Sequence, residues 1–279
     1  MNRSVEEIQK ILSSFRAPDR SKYPELQGYS GAEIYQDCFG GGGLYLAAQM
    51  ARTLRLRPDD TVLDLGCGKG SSSIFLAKHY GVNVIALDLW TAADFLQQKI
   101  SAQGFSDRIT AIQMDATQPL PFAMNYFDSI FCMNSFSFYG GNPEFIEHLL
   151  KHLKPGGQLC IGSEVLTSEF TAEQMINPPQ VYAFRLPAPN EHVDVFEDDF
   201  KKQHTPEWWR NLFQLSGLQV ESCRELEDAD AIYEELVRYE HEQNIDPFDV
   251  QICLDQLEWG RTHEPRKTLF VITVQKPYV

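Results

Sequence analysis

The chain has 279 residues, with 43% hydrophobic and 12% aromatic content, enough for a sizeable core and too much for wholesale disorder. Lys and Arg total 24 against 39 Asp and Glu, a net charge of −15. With no Lys/Arg stripe in the sequence, so acidic a surface repels phosphate backbones and anionic lipid, which argues against a nucleic-acid or membrane-surface partner.

Residues 4–15 read as an amphipathic helix, with Val5, Ile8, Leu12 and Phe15 on one stripe. Pro18 and Pro24 interrupt it, Gly40 to Gly43 form a joint, and 44–56 reads helical up to Pro58. Short apolar runs then alternate with helical stretches: strands at 61–65, 83–88, 108–113, 127–133 and 158–162, helices at 71–80, 91–103 and 143–153. Runs buried on both faces and separated by helices indicate βαβ units and a parallel sheet. LKPGG at 153–157 reads as a helix stop. Residues 163–204 hold four prolines and little periodicity, which suits an irregular insertion. A helix at 206–215, a strand at 218–223, an acidic helical stretch at 227–259 and a last strand at 267–275 follow.

Six scattered cysteines without CxxC spacing give no metal-ligand pattern, and no metal is expected. The acidic N-terminus does not read as a signal peptide, and no run reaches the roughly 18 apolar residues of a membrane span. The expectation is a cytoplasmic protein with reduced thiols and no integral membrane association. Two segments, 191–199 with five acids and 221–242 with nine acids against two arginines, carry most of the charge. They read either as solvated faces or as an acidic cap that draws in an amine-bearing molecule.

The densest signal is VLDLGCGKG at 62–70: an apolar strand bearing Asp64, glycines at 66, 68 and 70, then SSSIF opening a helix with Ser71 as the expected cap. The spacing is GxGxG, where a dinucleotide fingerprint would read GxGxxG. A carboxylate two residues before the first glycine suits an ammonium better than a pyrophosphate. Asp88 ends the second strand, 24 residues after Asp64, where an acid can accept both hydroxyls of a ribose. Asp115 follows the third strand, in MDAT, where a carboxylate can accept from an exocyclic adenine amine. One such acid is commonly a turn or helix cap. Three, around a glycine turn, point to a ligand.

These motifs, together with LLKHLKPGGQLCI, resemble the class I S-adenosylmethionine-dependent methyltransferases over about 35–163, with a weaker echo at 205–223 and 267–275. GGGGLYLAAQMARTLRL is similar to the small-molecule branch related to cyclopropane-fatty-acid synthases and quinone or sterol methyltransferases. The resemblance implies an α/β, Rossmann-like doubly wound fold: a mostly parallel seven-stranded sheet with the last strand antiparallel, plus a helical and irregular cap. It divides the chain into an N-terminal segment closing the cofactor site (1–58), a core (59–163, 205–223 and 264–279), and cap insertions over the substrate site (164–204 and 224–263). It implies S-adenosyl-L-methionine as cofactor, with Asp64, Gly66, Cys67, Gly68 and Gly70 at its methionine moiety. Asp88 and Leu89 would serve the ribose and adenine, Asp115 and Ala116 the adenine edge, and Asn134 would lie near the sulfonium. Trp90 reads as a ring neighbour or as helix-start core. Tyr35, Gly42 and Gly43 are further cofactor neighbours, the glycines serving equally as a hinge. No residue is assigned as a base, since in-line methyl transfer needs one only for an acceptor proton that must leave early. The implied activity is methyl transfer to a small molecule, with a non-catalytic S-adenosylmethionine or S-adenosylhomocysteine sensor as the alternative. NPPQ at 177–180 is close to the NPPY motif of amino-methylating nucleic-acid enzymes, but that motif belongs after the fourth strand, where this chain reads NSFS.

Overall fold

The computed structural model describes residues 3–187, 192–194, 196, 200–245 and 247–278. Most of the acidic run at 191–199 therefore lies outside the described residues. Strands β1 (Thr61–Leu65), β2 (Asn83–Asp88), β3 (Ile109–Gln113), β4 (Phe127–Met133) and β5 (Leu153–Leu166) follow in order, joined through helices except between β3 and β4, where a loop connects them. A hairpin of β6 (Arg185–Pro187) and β7 (His192–Asp194) stands apart, and β8 (Gln219–Glu225) and β9 (Lys267–Gln275) complete a seven-stranded sheet. Its order is β3-β2-β1-β4-β5-β9-β8, with β9 antiparallel to both neighbours. This is the expected architecture.

The inner strands β1, β2, β4 and β9 are largely apolar because both faces are covered, whereas the edge strand β8 is mostly polar and exposed. Val62, Phe131, Cys160 and Val271 point to one side, against helices α3 (Gly43–Ala51) and α4 (Ser71–Tyr80). Their neighbours Leu63, Cys132, Ile161 and Ile272 point to the other, against α6 (Pro143–Leu150) and α8 (Pro206–Leu215). The remaining helices are α1 (Val5–Ser13), α2 (Gly31–Tyr35), α5 (Ala93–Ala102), α7 (Ala172–Ile176), α9 (Ala229–Glu242) and α10 (Pro247–Gly260). Leu12 and Phe15, on and just past α1, pack on Val237, Val250 and Leu254 of α9 and α10, so the N-terminal helix docks on its own chain.

Three expectations need correction. LKPGG does not merely stop a helix: α6 ends at Leu150 and β5 begins at Leu153, which pairs with Phe127 before the register shifts. Strand β5 continues to Leu166, since β9 pairs with it through Leu166↔Lys267, so the first insertion starts after the strand and Glu164 belongs to the sheet. The acidic stretch 227–259 is two helices, broken where Asn244 adopts a left-handed backbone and Pro247 starts α10.

Candidate functional site

The carboxyl ends of β1, β2 and β4 meet around the glycine turn. The Gly66 and Cys67 amides both donate to the Leu87 carbonyl, at 2.8 and 3.1 Å, tying the turn to β2. Gly66 and Gly68 have positive φ, and a Cβ on Gly66 would fall 2.3 Å from Ser135 Oγ. Only glycine fits there. Asp64 is fully buried, and its Oδ2 accepts hydrogen bonds from Ser72 and Ser73, each at 2.6 Å. The N-cap of α4 is Gly70 rather than the expected Ser71. The two following serines turn inward to the carboxylate. Asp64 Oδ1 has no partner. Burial pushes its carboxyl up to about 6, against the pull of both serine hydrogen bonds and with help from the Asp88 charge. A buried acceptor with one open oxygen is costly until a donor arrives. An incoming ammonium fits it.

Asp88 Oδ2 accepts from the Gly68 amide at 2.9 Å, and Oδ1 from the Trp90 and Thr91 amides at 2.8 Å each. Three of a carboxylate's roughly four acceptor positions are thus taken by backbone, leaving about one for a ligand hydroxyl. The Met114 amide donates to the Asp88 carbonyl, so β2 and β3 end side by side. Asp115 Oδ1 accepts from the Thr117 amide and hydroxyl at 2.9 and 2.7 Å, which closes a local turn and holds its carboxyl below the usual range. Ala116 is buried beside Leu87, while Leu89 is half exposed and Trp90 lies edge-on to Phe138 at the surface. Cys67 is buried, and that burial lifts its thiol far above the ordinary range, so it is no nucleophile.

The segment before α3 comes over this crevice. The Phe39 ring approaches Gly68, where an added Cβ would meet it at 3.1 Å. Gly42 and Gly43 are buried with positive φ, and a Cβ on Gly43 would strike the Ile34 carbonyl and the Tyr35 ring, both at 2.7 Å. Tyr35 is buried and donates to the Ile232 carbonyl of α9. It contacts the second compartment rather than the glycine turn. Asn134, just past β4, joins the two compartments through the loop at 39–41.

That second compartment is a cavity of about 780 Å³ between Tyr35–Gly41, α9, α10 and the ends of β5 and β9. Glu164 of β5 and Lys267 of β9 form an ion pair at 3.0 Å on its wall, and Tyr233 and Glu240 of α9 also face it. Of the residues assigned from sequence only Tyr35 lines it. Glu164, Lys267, Tyr233 and Glu240 were missed, and the one available signal was the charged residue at the end of each otherwise apolar strand.

A glycine turn after β1, an acid ending β2 and an antiparallel β9 in a seven-stranded sheet define a methyltransferase-type α/β domain. Residues 62–157 match the family described as "Methyltransferase domain". It is 25% identical over 130 residues to a glycine/sarcosine/dimethylglycine N-methyltransferase of Actinopolyspora halophila, a match covering 47% of this chain and 23% of that protein. The matches span 23–28% of the length of such curated relatives. Among solved structures, phosphoethanolamine N-methyltransferase 2 of Haemonchus contortus, in complex with phosphomonomethylethanolamine and S-adenosylhomocysteine, has a TM-score of 0.69 at 15% identity, covering 93% of this chain and 59% of that one. The cyclase SpnF has a TM-score of 0.66 at 15% identity, covering 95% and 99%.

Proposed function

We propose that the chain transfers a methyl group from S-adenosyl-L-methionine to a small-molecule acceptor held in the 780 Å³ cavity. The observation that carries this reading is the glycine turn between Asp64 and Asp88, which opens beside that cavity with only the 39–41 loop between them. Bound there, the cofactor supplies an electrophilic methyl on a sulfonium. The glycines at 66, 68 and 70, Cys67 and the open Asp64 oxygen would take the methionine moiety, with Asp88 and Leu89 on the ribose and adenine and Asp115 and Ala116 on the adenine edge. Asn134, Gly42 and Gly43 hold the segment that covers the crevice. What these residues contribute is alignment and exclusion of water, the two things an in-line displacement asks of a protein.

The domain reading becomes 1–58 closing the cofactor site, with 167–204 and 226–263 roofing the acceptor. The acidic surface supports a partner that is a small molecule rather than nucleic acid. No described helix is long and apolar enough to cross a membrane. Six free thiols suit a reducing compartment such as the cytoplasm.

Calorimetry with S-adenosylhomocysteine tests the proposal. The wild type should bind it, Asp88→Ala should not while keeping its circular dichroism, and incubation with methyl-labelled cofactor should label a small molecule. Unchanged affinity in Asp88→Ala sinks the ribose assignment. The cyclase SpnF shares this fold, so the fold alone does not dictate methyl transfer, and the second reading is binding without turnover. Tight binding with no label transferred would favour it.

A further inference from the structure

The cavity's charges are almost completely matched, and what is left unmatched says what the cavity accepts. Its lining cations are Arg16, Arg261, Arg266 and Lys267. Lys267 pairs with Glu164 at 3.0 Å, Arg16 with Glu234 at 3.3 Å and Asp230 at 3.9 Å, Arg261 with Glu234 at 3.8 Å, and Arg266 with Asp230 at 3.2 Å. An anionic guest would find every one of them engaged. Oε2 of Glu240 on α9 is buried and has no partner, and the hydroxyl of Tyr233, a residue only 7% exposed, lies beside the Glu164 carboxylate without a hydrogen bond of good geometry. They lie seven residues apart, on one face of the helix with Leu236 and Val237 between them, roughly 10 Å along its axis. Both side chains lean alike toward the helix N-terminus, so their polar tips stay about that far apart, a span for two groups of one molecule. Aromatic faces surround the gap, including the Tyr35–Tyr239 pair with centroids 5.6 Å apart, and such faces favour a cation.

We propose that the acceptor is an amine-bearing small molecule, that Glu240 recognises its amine, and that the Tyr233 hydroxyl hydrogen-bonds a second polar group of the same molecule. This rests on the reading that the cavity receives the acceptor, and it names the group recognised rather than the atom methylated. An ammonium gives the unpartnered Glu240 oxygen an N–H donor and a counter-charge at once. A hydroxyl gives only the first, a carboxylate neither.

The groups facing Glu240 are Asp249 and Cys253 from α10, Lys267 from β9, Glu164 from β5 and Tyr239 on its own helix. Burial and the Asp249 charge push the Glu240 carboxyl up to about 7, Lys267 pulling it down and Glu164 adding to the rise. An alkylammonium keeps its proton to about pH 10, so amine binding strengthens as the carboxyl ionises, about tenfold from pH 6 to pH 8.

The test uses the full chain and two matched sets: tyramine, 2-(4-hydroxyphenyl)ethanol and 4-hydroxyphenylacetate; and 6-aminohexanol with 1,6-hexanediol. Calorimetry should show each amine binding at least tenfold tighter than its isosteres, with the tenfold pH rise. In Glu240→Gln the preference and the pH dependence should both vanish. Tyr233→Phe should weaken tyramine while leaving phenethylamine unchanged, and it tests the second contact if Glu240→Gln does not fold. Isosteres binding as well as the amines, a preference that survives Glu240→Gln, or no binding of either amine would overturn the proposal. Titration of S-adenosylhomocysteine into the same proteins separates this failure from failure of the cofactor site, which Glu240 does not touch.

Discussion

The side-chain amide of Asn134, just past β4, donates to the carbonyl of Gly41 at 2.9 Å, and its second N–H reaches the Phe39 carbonyl at the same distance. One side chain thus fastens the loop that separates the glycine turn from the large cavity. Asn134 has a φ of 55°, a conformation Asn tolerates and most residues resist. Asn134→Gly therefore removes the clamp without straining the backbone. Two hydrogen bonds to backbone carbonyls are worth about 1–2 kcal/mol together, so affinity for S-adenosylhomocysteine should fall about tenfold, with faster hydrogen exchange at 39–43. Unchanged exchange in that segment would show that the loop is held by other contacts.

Gly41 faces the opposite compartment. Its φ is ordinary, but an added Cβ would sit 2.5 Å from Glu164 Oε1 and 2.6 Å from the Tyr233 ring. Gly41→Ala should fold, since the backbone accepts it, and should cost about 1–3 kcal/mol as those two side chains are displaced. The cofactor site lies on the far side of the loop. S-adenosylhomocysteine affinity should therefore hold within about threefold while methyl transfer drops by at least tenfold. Equal losses of both would mean the two compartments are not separated at this glycine.

The sheet and the glycine turn were legible because they are local. TVLDL, NVIALD and FDSIFCM are apolar on both faces, and GxGxG is a contiguous turn. The cavity was not, because its walls come from residues far apart in sequence. Glu164 meets Lys267 only through the antiparallel pairing of β5 and β9, in which Glu164 lies opposite Leu269. The acids of α9 were only partly legible for the same reason. Read in sequence they are a solvated face or a charged cap, yet Glu235 binds Arg20 at 2.9 Å and Glu234 accepts from the Arg16 amide at 2.7 Å. Much of that helix's charge serves to dock the N-terminal segment.

Asp64 makes stability fall with rising pH over a defined window. Its folded-state carboxyl, pushed up to about 6 by burial, holds its proton where the unfolded chain, near 3.8, has lost it. Between those values the native state binds more protons than the unfolded state, so unfolding free energy declines as pH rises from about 4 to about 6 and the loss is complete above that. A difference of this size is worth about 3 kcal/mol. Asp64→Asn keeps an acceptor for Ser72 and Ser73 without the charge. In urea unfolding the mutant should gain on the wild type between pH 4 and 6. At pH 7 it should be at least as stable but bind S-adenosylhomocysteine more weakly. A wild-type minus mutant difference that stays flat with pH would show that Asp64 ionises normally.

Glu234 and Arg16 allow the docking of the N-terminal segment to be measured. The carboxylate is 8% exposed and accepts both the Arg16 amide and, at 3.3 Å, its Nε, while the Arg16 side chain is 66% exposed. Arg16→Ala keeps the backbone donor and loses only a screened side-chain contact, so it should cost under about 1 kcal/mol. Glu234→Ala leaves the partly buried Arg16 amide without its acceptor and also unpairs Arg261, so about 1–3 kcal/mol should be lost. Early proteolysis within residues 1–40 should accompany it. The asymmetry is the informative quantity in denaturant titration: equal costs for the two variants would mean the guanidinium, rather than the backbone amide, anchors the segment.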